Sequence, residues 1–184
     1  MNYFIPLKWM AIIVGLLSIA AHLPPALVPE KVAPWLKSLP RNYPLGAVLM
    51  LAATFWFVAL TSVTDLGEIS NVRFQLMAVW TVGGVLLTIF VPTFLAPRGL
   101  GCLLLLAAAV IIDAAFLVQT PWRYVMTLTA YWWVVAGMIL VYSPHLWRDA
   151  ILHVTQTPQR FRLFSWPGVV YGLVLIVLGI FVYP

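Results

Sequence analysis

Asp113 is the residue of this chain with the sharpest chemical claim. It stands inside Val110-Ile-Ile-Asp-Ala-Ala-Phe116, an otherwise apolar stretch. A carboxylate near a bilayer centre costs about 3 kcal/mol on insertion scales, so such a residue reads first as a proton carrier or ion ligand. The second reading is a hydrogen-bonded helix anchor, held by Thr81, Thr88, Thr127, Thr129 or a tyrosine on a neighbouring helix. For a titrating Asp113, Thr81 and Thr129 are the expected partners. Gln119, about two turns further on, marks the nearest outer surface.

A second polar group comprises His145, Arg148, Asp149 and His153. It is the one cluster that a membrane enzyme acting on a lipid or quinone could use. The two histidines are eight residues apart, so on a helix they share a face without being able to chelate one ion alone. The cluster reads equally as a headgroup-facing surface. His22 is isolated, whereas metal-ligating histidines come with other donors. A core hydrogen bond or an interfacial position is expected for it, and no metal site. Asp65 and Glu68 have the spacing of an acid/base pair but also that of a helix cap, which is the preferred reading. Arg73 is placed to pair with either. Nothing has the spacing of a nucleophile triad, a phosphate loop or a metal helix, so no catalytic residue is expected. The lone Cys102 excludes an intrachain disulfide and a cysteine metal site; among Leu and Ala it reads as a buried, inert thiol.

The elements that must position these residues follow from composition. Of 184 residues, 64% are hydrophobic and 8% charged, against about half and about a quarter in a soluble domain. Ten basic and five acidic side chains cannot coat a globule of this size in water. The net charge of +5 is spread singly between apolar runs. That argues for a topological role rather than for nucleic acid.

A bilayer core of about 30 Å needs about 20 apolar residues in a helix. The runs 9–28, 44–63, 74–95, 100–118, 124–143 and 167–183 meet or approach that length. The last is the shortest, with Tyr171 and Tyr183 expected near the interfaces. The first imitates a secretory signal but is long enough to be a retained span. Backbone groups have no partner in hydrocarbon, so the runs should be helices. The expected fold is an all-α integral membrane protein. Its six transmembrane helices form three tandem antiparallel hairpins, 9–63, 74–118 and 124–183, in a single membrane domain over 1–184.

The hairpin turns carry Lys31, Lys37, Arg41, Arg98, Arg148, Arg160 and Arg162, against Lys8, Arg73 and Arg123 on the opposite side. This bias places the turns in the cytoplasm and both termini on the non-cytoplasmic side. Two turns are long enough for short interfacial amphipathic helices. Val32, Trp35, Leu36 and Leu39 form one apolar stripe, and Leu146, Trp147, Ala150, Ile151 and Val154 the other. Pro40 and Pro158 should stop them. The turn sequences Leu39-Pro-Arg-Asn-Tyr-Pro-Leu-Gly46 and Ala96-Pro-Arg-Gly-Leu-Gly101 match one another as internal repeats.

Pro144, Trp147, Arg148, Pro158, Arg160, Gly168, Gly172 and Gly179 stand in a pattern of apolar helix, proline, Trp-bearing turn and glycine-bearing helix. On these residues the segment 130–184 resembles the small two-helix bacterial inner-membrane proteins of the YjeT type. Pro29, Trp35, Pro40, Arg41 and Gly46 fit the same pattern more loosely. The resemblance implies a membrane-embedded accessory protein in the bacterial inner membrane and carries over no catalytic residue. This chain departs from it in carrying three hairpins rather than one.

Gly83, Gly84, Gly137, Gly172 and Gly179 permit close helix contact. Trp56, Trp80, Trp132 and Trp133 lie deep in the runs; they line a groove for lipid, quinone or pigment, or pack against helices and another subunit. The leading expectation is a non-catalytic accessory or structural subunit. It would be bound to another integral membrane protein or to its own copies, with no obligatory cofactor and no nucleic acid. The alternatives are a small proton-linked carrier using Asp113, and a membrane enzyme acting on a lipid or quinone.

Overall fold

The computed structural model describes residues 5–116 and 118–183. Its α-helices are α1 (Leu7–Leu27), α2 (Pro29–Ser38), α3 (Tyr43–Val63), α4 (Arg73–Phe90), α5 (Leu95–Phe116), α6 (Arg123–Tyr142), α7 (Pro144–Val154) and α8 (Pro158–Phe181). Short 3-10 turns at Leu39–Arg41 and Gly67–Val72 complete the connections. No strand occurs among the described residues. Six helical segments are long and apolar enough to cross a membrane: α1, α3, α4 with its leading turn, α5, α6 and α8. The chain ends, expected on the outer side, lie outside the described residues.

Helix bounds correct the sequence reading in three places. Pro158 starts a helix instead of stopping one. Thr157 accepts the Arg160 N–H at 3.2 Å as N-cap, and Pro158 takes the first helical position, where its missing N–H costs nothing. The last span is therefore 24 residues long, with Pro167 inside it, and not the shortest of the six. Pro97 and Arg98 likewise fall in the first turn of α5 rather than in the loop. The tight turn before α5 includes Phe94 at φ 54°, a left-handed conformation that costs about 1–2 kcal/mol for a residue with a Cβ. Finally, the α2 stripe splits: Leu39 is buried and Val32 and Leu36 are half-buried, but Trp35 is 60% exposed. In α7, Ile151 is buried while Leu146 and Ala150 stay exposed.

Packing groups the chain into two compact units. One holds Leu39–Ala107 and Trp133–Trp147; the other holds Asn2–Ser38, Ala108–Trp132 and Arg148–Pro184.

In the first unit α3 runs between two neighbours. Against α4 it is antiparallel: Gly84 lies on Thr54, the Phe57 and Trp80 rings meet edge to face at 5.2 Å, and the Tyr43 hydroxyl donates to the Thr88 carbonyl at 3.3 Å. Against α5 it is parallel. A methyl on Gly46 would lie 2.6 Å from the Ala96 nitrogen, and one on Gly99 would lie 2.7 Å from the Met50 nitrogen. Further along α5, Gly101 and Gly137 of α6 face each other, and a methyl on either would come within 2.8 Å of the other's carbonyl.

The second unit is built on α1 and α8, packed antiparallel. Gly15 opposes Gly172 with the same reciprocal geometry at 2.7 Å, and Gly179 lies against Lys8 and Ile12. Backbones this close form Cα–H···O contacts and maximise dispersion, the means by which helices associate in lipid. The Ser18 hydroxyl donates across the interface to the Gly168 carbonyl at 2.9 Å.

Candidate functional site

The first unit contains an apolar groove of about 460 Å³ between α3, α4 and α5. Its walls include Thr54, Phe57, Trp80, Gly83, Leu87 and Cys102. Most of these lie well inside their helices, with Leu87 in the last turn of α4. The Thr54 hydroxyl donates to the Met50 carbonyl of its own helix at 2.9 Å, so its polar group is already satisfied. The groove therefore offers shape and apolar surface rather than chemistry.

Its most informative residue is Gly83. The two adjacent glycines of α4 do different things. Gly84 is buried against Thr54, and a methyl there would collide with the threonine side chain. A methyl on Gly83 would meet nothing within 4 Å. Glycine in a helix interior costs about 1 kcal/mol relative to alanine, and packing within this chain gives no reason for it at position 83. The rest of α4 is equally open: it buries only Gly84 and Thr88, and Phe74 and Phe90 are 81% and 75% exposed. Exposed apolar side chains need no partner in lipid. A bare helix backbone beside a groove is the feature that calls for one.

No protein-family model matches the chain, and neither does any curated protein or solved structure. What the residues can do must be read from their own geometry.

Asp113 falls in the last turn of α5, three residues before Phe116 and half-buried. At 1.5 Å per residue it lies about 5 Å from Phe116. Of the partners expected for it, Thr81 donates to Met77 of its own helix at 2.8 Å on an exposed face. Thr88 donates to Gly84 and Thr127 to Arg123. Thr129 donates to the Val125 carbonyl at 2.7 Å and so accepts from Tyr171. Tyr171 thus bonds into the second unit. Tyr183 does likewise: it is 5% exposed and donates to the Trp122 carbonyl at 2.7 Å. Burial, with Tyr171 a smaller cause, pushes its phenol up to about 12, which keeps it a donor.

The residues of the second polar group lie on α7. His145 and His153 are exposed, and Arg148 closes on its chain neighbour Asp149 at 2.7 Å. No grouping of three or more His, Cys, Asp or Glu fit to hold a metal occurs among the described residues. The His22 Nδ1 lies 2.8 Å from the Ser18 carbonyl. A carbonyl only accepts, so this nitrogen carries the proton. The ring packs directly on Gly168. His22 is the hydrogen-bonding histidine that its isolation implied.

The Asp65 carboxylate accepts the N–H of Gly67, two residues on, at 3.0 Å, in the turn that leads into the 3-10 helix. Arg73 bypasses both carboxylates and donates to the Ser62 and Thr64 carbonyls at 2.6 and 2.8 Å, closing the C-terminal end of α3. Arg123 closes the end of α5 in the same way, donating to Val118 at 3.0 Å and to Phe116 at 3.4 Å. The sequence reading missed this pairing, although a signal was present. Lys8-Trp9, Arg73-Phe74 and Arg123-Tyr124 open α1, α4 and α6 as basic–aromatic dipeptides. In two of them the cation lies over the adjacent ring, at 6.0 Å for Lys8 and 5.2 Å for Arg123.

Thr120, beside this second cap, has a buried hydroxyl with no hydrogen-bond partner among the described residues. An orphaned polar group costs about 1–3 kcal/mol. The isosteric Thr120→Val is therefore expected to hold or raise stability by about 1 kcal/mol in thermal unfolding; a clear loss would show that the hydroxyl is bonded.

Proposed function

We propose that the protein is a non-catalytic accessory subunit of a membrane-protein complex, with the groove beside Gly83 receiving a helix of the partner. The open Gly83 carries this reading. A helix laid along α4 can approach its backbone there and cover Trp80 and Leu87, both part-exposed. Trp132, 71% exposed on α6, offers a second aromatic contact surface. The accessory role agrees with what the YjeT resemblance implies. A carrier would need a titrating group at mid-span; Asp113 stands in the last turn of its helix, and the threonines expected to serve it bond within their own helices or to Tyr171.

The same proposal sets the chain in the bacterial inner membrane as three tandem hairpins, with their turns in the cytoplasm, both termini outside, and α2 and α7 in the interface. The cation bias supports this orientation.

Gly83→Leu tests the proposal. Its first carbon meets nothing of this chain within 4 Å and the rest of the side chain occupies the groove against its apolar walls, so the purified variant should keep its helicity and melting temperature. Proteins that co-purify with the wild type in mild detergent should be lost. If wild type runs as two copies and the variant as one, the occupant is a second copy of the chain. An unchanged set of co-purifying proteins, or a wild type isolated as a lone monodisperse monomer, would count against the docking groove. Gly83→Ala is expected to raise stability by about 1 kcal/mol through helix propensity alone, which chemical denaturation in detergent would measure.

A further inference from the structure

We infer that α2 and the first turns of α8 form a binding site for anionic phospholipid. This inference is independent of the docking groove but rests on the same placement of the spans in a bilayer.

Both elements belong to the second unit, and α2 packs against α1 and α8. The antiparallel register that sets Gly15 on Gly172 brings the end of α1, where α2 begins, to the level of Arg160. Val32 and Leu36 are half-buried, while Lys31 and Trp35, one helical turn apart, both stand exposed. On α8 the same pairing recurs. Arg160 and Phe164, and Arg162 and Trp166, are four residues apart, and all four are exposed. Residues at this spacing are neighbours on one helix face, so each arginine has its ring beside it, while the two pairs stand on opposite flanks of the buried Phe161 and Ser165.

Each pair thus joins a cation to an aromatic ring. On α8 the ring stands one turn deeper into the span than its arginine. A phospholipid has that same vertical order, with phosphate above and acyl chain below. Indole and phenyl rings at this depth pack against the upper chain while guanidinium and ammonium groups hold the phosphate.

The charge balance selects among headgroups. Lys31, Lys37, Arg160 and Arg162 face the carboxylate Glu30 in the same region, while Asp149 is already closed on Arg148. Arg160 also donates to the neutral Gln156 side chain, at 2.5 Å, which orients it without neutralising it. The net positive field attracts a lipid of net negative charge and gives no advantage to phosphatidylcholine, whose choline cation is repelled. Basic residues near a membrane surface contribute about a fivefold preference each for anionic lipid. The geometry therefore assigns Lys31, Lys37, Arg160 and Arg162 to the phosphates of lipids packed around this end of the unit, and Trp35, Phe164 and Trp166 to their chains.

The test reconstitutes the full chain into vesicles of equal parts phosphatidylcholine and phosphatidylglycerol. The protein is then re-extracted in mild detergent, and the lipid that stays with it is measured by native mass spectrometry. Wild type should retain phosphatidylglycerol at least severalfold over its share of the vesicle. The variant carrying Lys31→Gln, Lys37→Gln, Arg160→Gln and Arg162→Gln should retain the two lipids in their vesicle ratio. The pairs Lys31→Gln with Lys37→Gln, and Arg160→Gln with Arg162→Gln, should fall between them and serve as the readout if the fourfold variant does not stay folded. Arg98→Gln, in the other unit, and Gly83→Leu should both leave the enrichment intact. Retention at the vesicle ratio by wild type, or enrichment that survives the variants at these four positions, would overturn the assignment.

Discussion

Gly172→Leu will drive α1 and α8 apart and cost about 3 kcal/mol or more, the upper range for overpacking a close-packed contact. The reason is geometric. Even the first carbon of a side chain at this position would sit 2.7 Å from the Gly15 carbonyl oxygen, 2.7 Å from the Ile19 side chain and 3.2 Å from the Ile19 nitrogen. Two of those three atoms are backbone in the middle of a helix, where neither can move without breaking hydrogen bonds. Gly15→Leu must do the same from the other side, against Gly172 and Ile176. Because both changes break one contact, their effects should not add. The double variant is expected to be scarcely worse than either single one, since coupled residues share a single loss. Thermal unfolding in detergent followed by circular dichroism reads this directly. A Gly172→Leu protein as stable as wild type would show that the α1–α8 contact is not the one described.

Arg73→Ala is the second large effect, with an expected loss of about 3 kcal/mol. Its guanidinium serves two carbonyls at once, those of Ser62 and Thr64. Hydrogen bonds to a charged group contribute about 1.5–3 kcal/mol each; the lower figure applies here because Arg73 is only half-buried. A cation at the C-terminal end of a helix adds favourable interaction with the helix dipole. Arg73→Lys should recover less than half, since an ammonium cannot reach two acceptors as a planar fork does. Hydrogen exchange supplies the local readout: amides around residues 64–72 should exchange faster in Arg73→Ala, while those of α8 stay unchanged. Equal protection in the alanine and wild-type chains would remove the cap from the account.

These effects also mark where sequence reading succeeded and where it could not. Lipid imposes a length and an apolar composition on any span, so all six apolar runs were legible, although the last was placed too far along the chain because α8 begins at Pro158. The ends were harder, because prolines carry opposite meanings at the two ends of a helix. Pro40 follows α2 as a stop, whereas Pro158, preceded by Thr157, is a start; the Thr-Pro pair was the available cue. The small residues were recognised as contact points. Gly84, Gly137, Gly172 and Gly179 do meet other helices, but their partners Thr54, Gly101, Gly15 and Lys8 are distant in the chain and no local pattern names them. Gly15, Gly46, Gly99 and Gly101 were overlooked for the same reason. Asp113 was placed about two turns from Gln119, and α5 indeed ends between the two, at Phe116 among the described residues. The groove was beyond reach of the sequence, since it depends on which side of α4 this chain leaves uncovered.

The contact between α1 and α8 has a consequence during synthesis. Ser18 and Gly168 are separated by 150 residues. At about 5–20 residues per second, the ribosome takes roughly 8–30 s to cover that distance. For that interval the notched face of α1, with Ser18 and His22 on it, sits in the nascent protein without the helix that completes it. Loop closure over so long a stretch is slow, so this helix pair should be the last part of the fold to lock. A chain truncated before residue 158 would leave α1 waiting permanently, a ready substrate for membrane quality control.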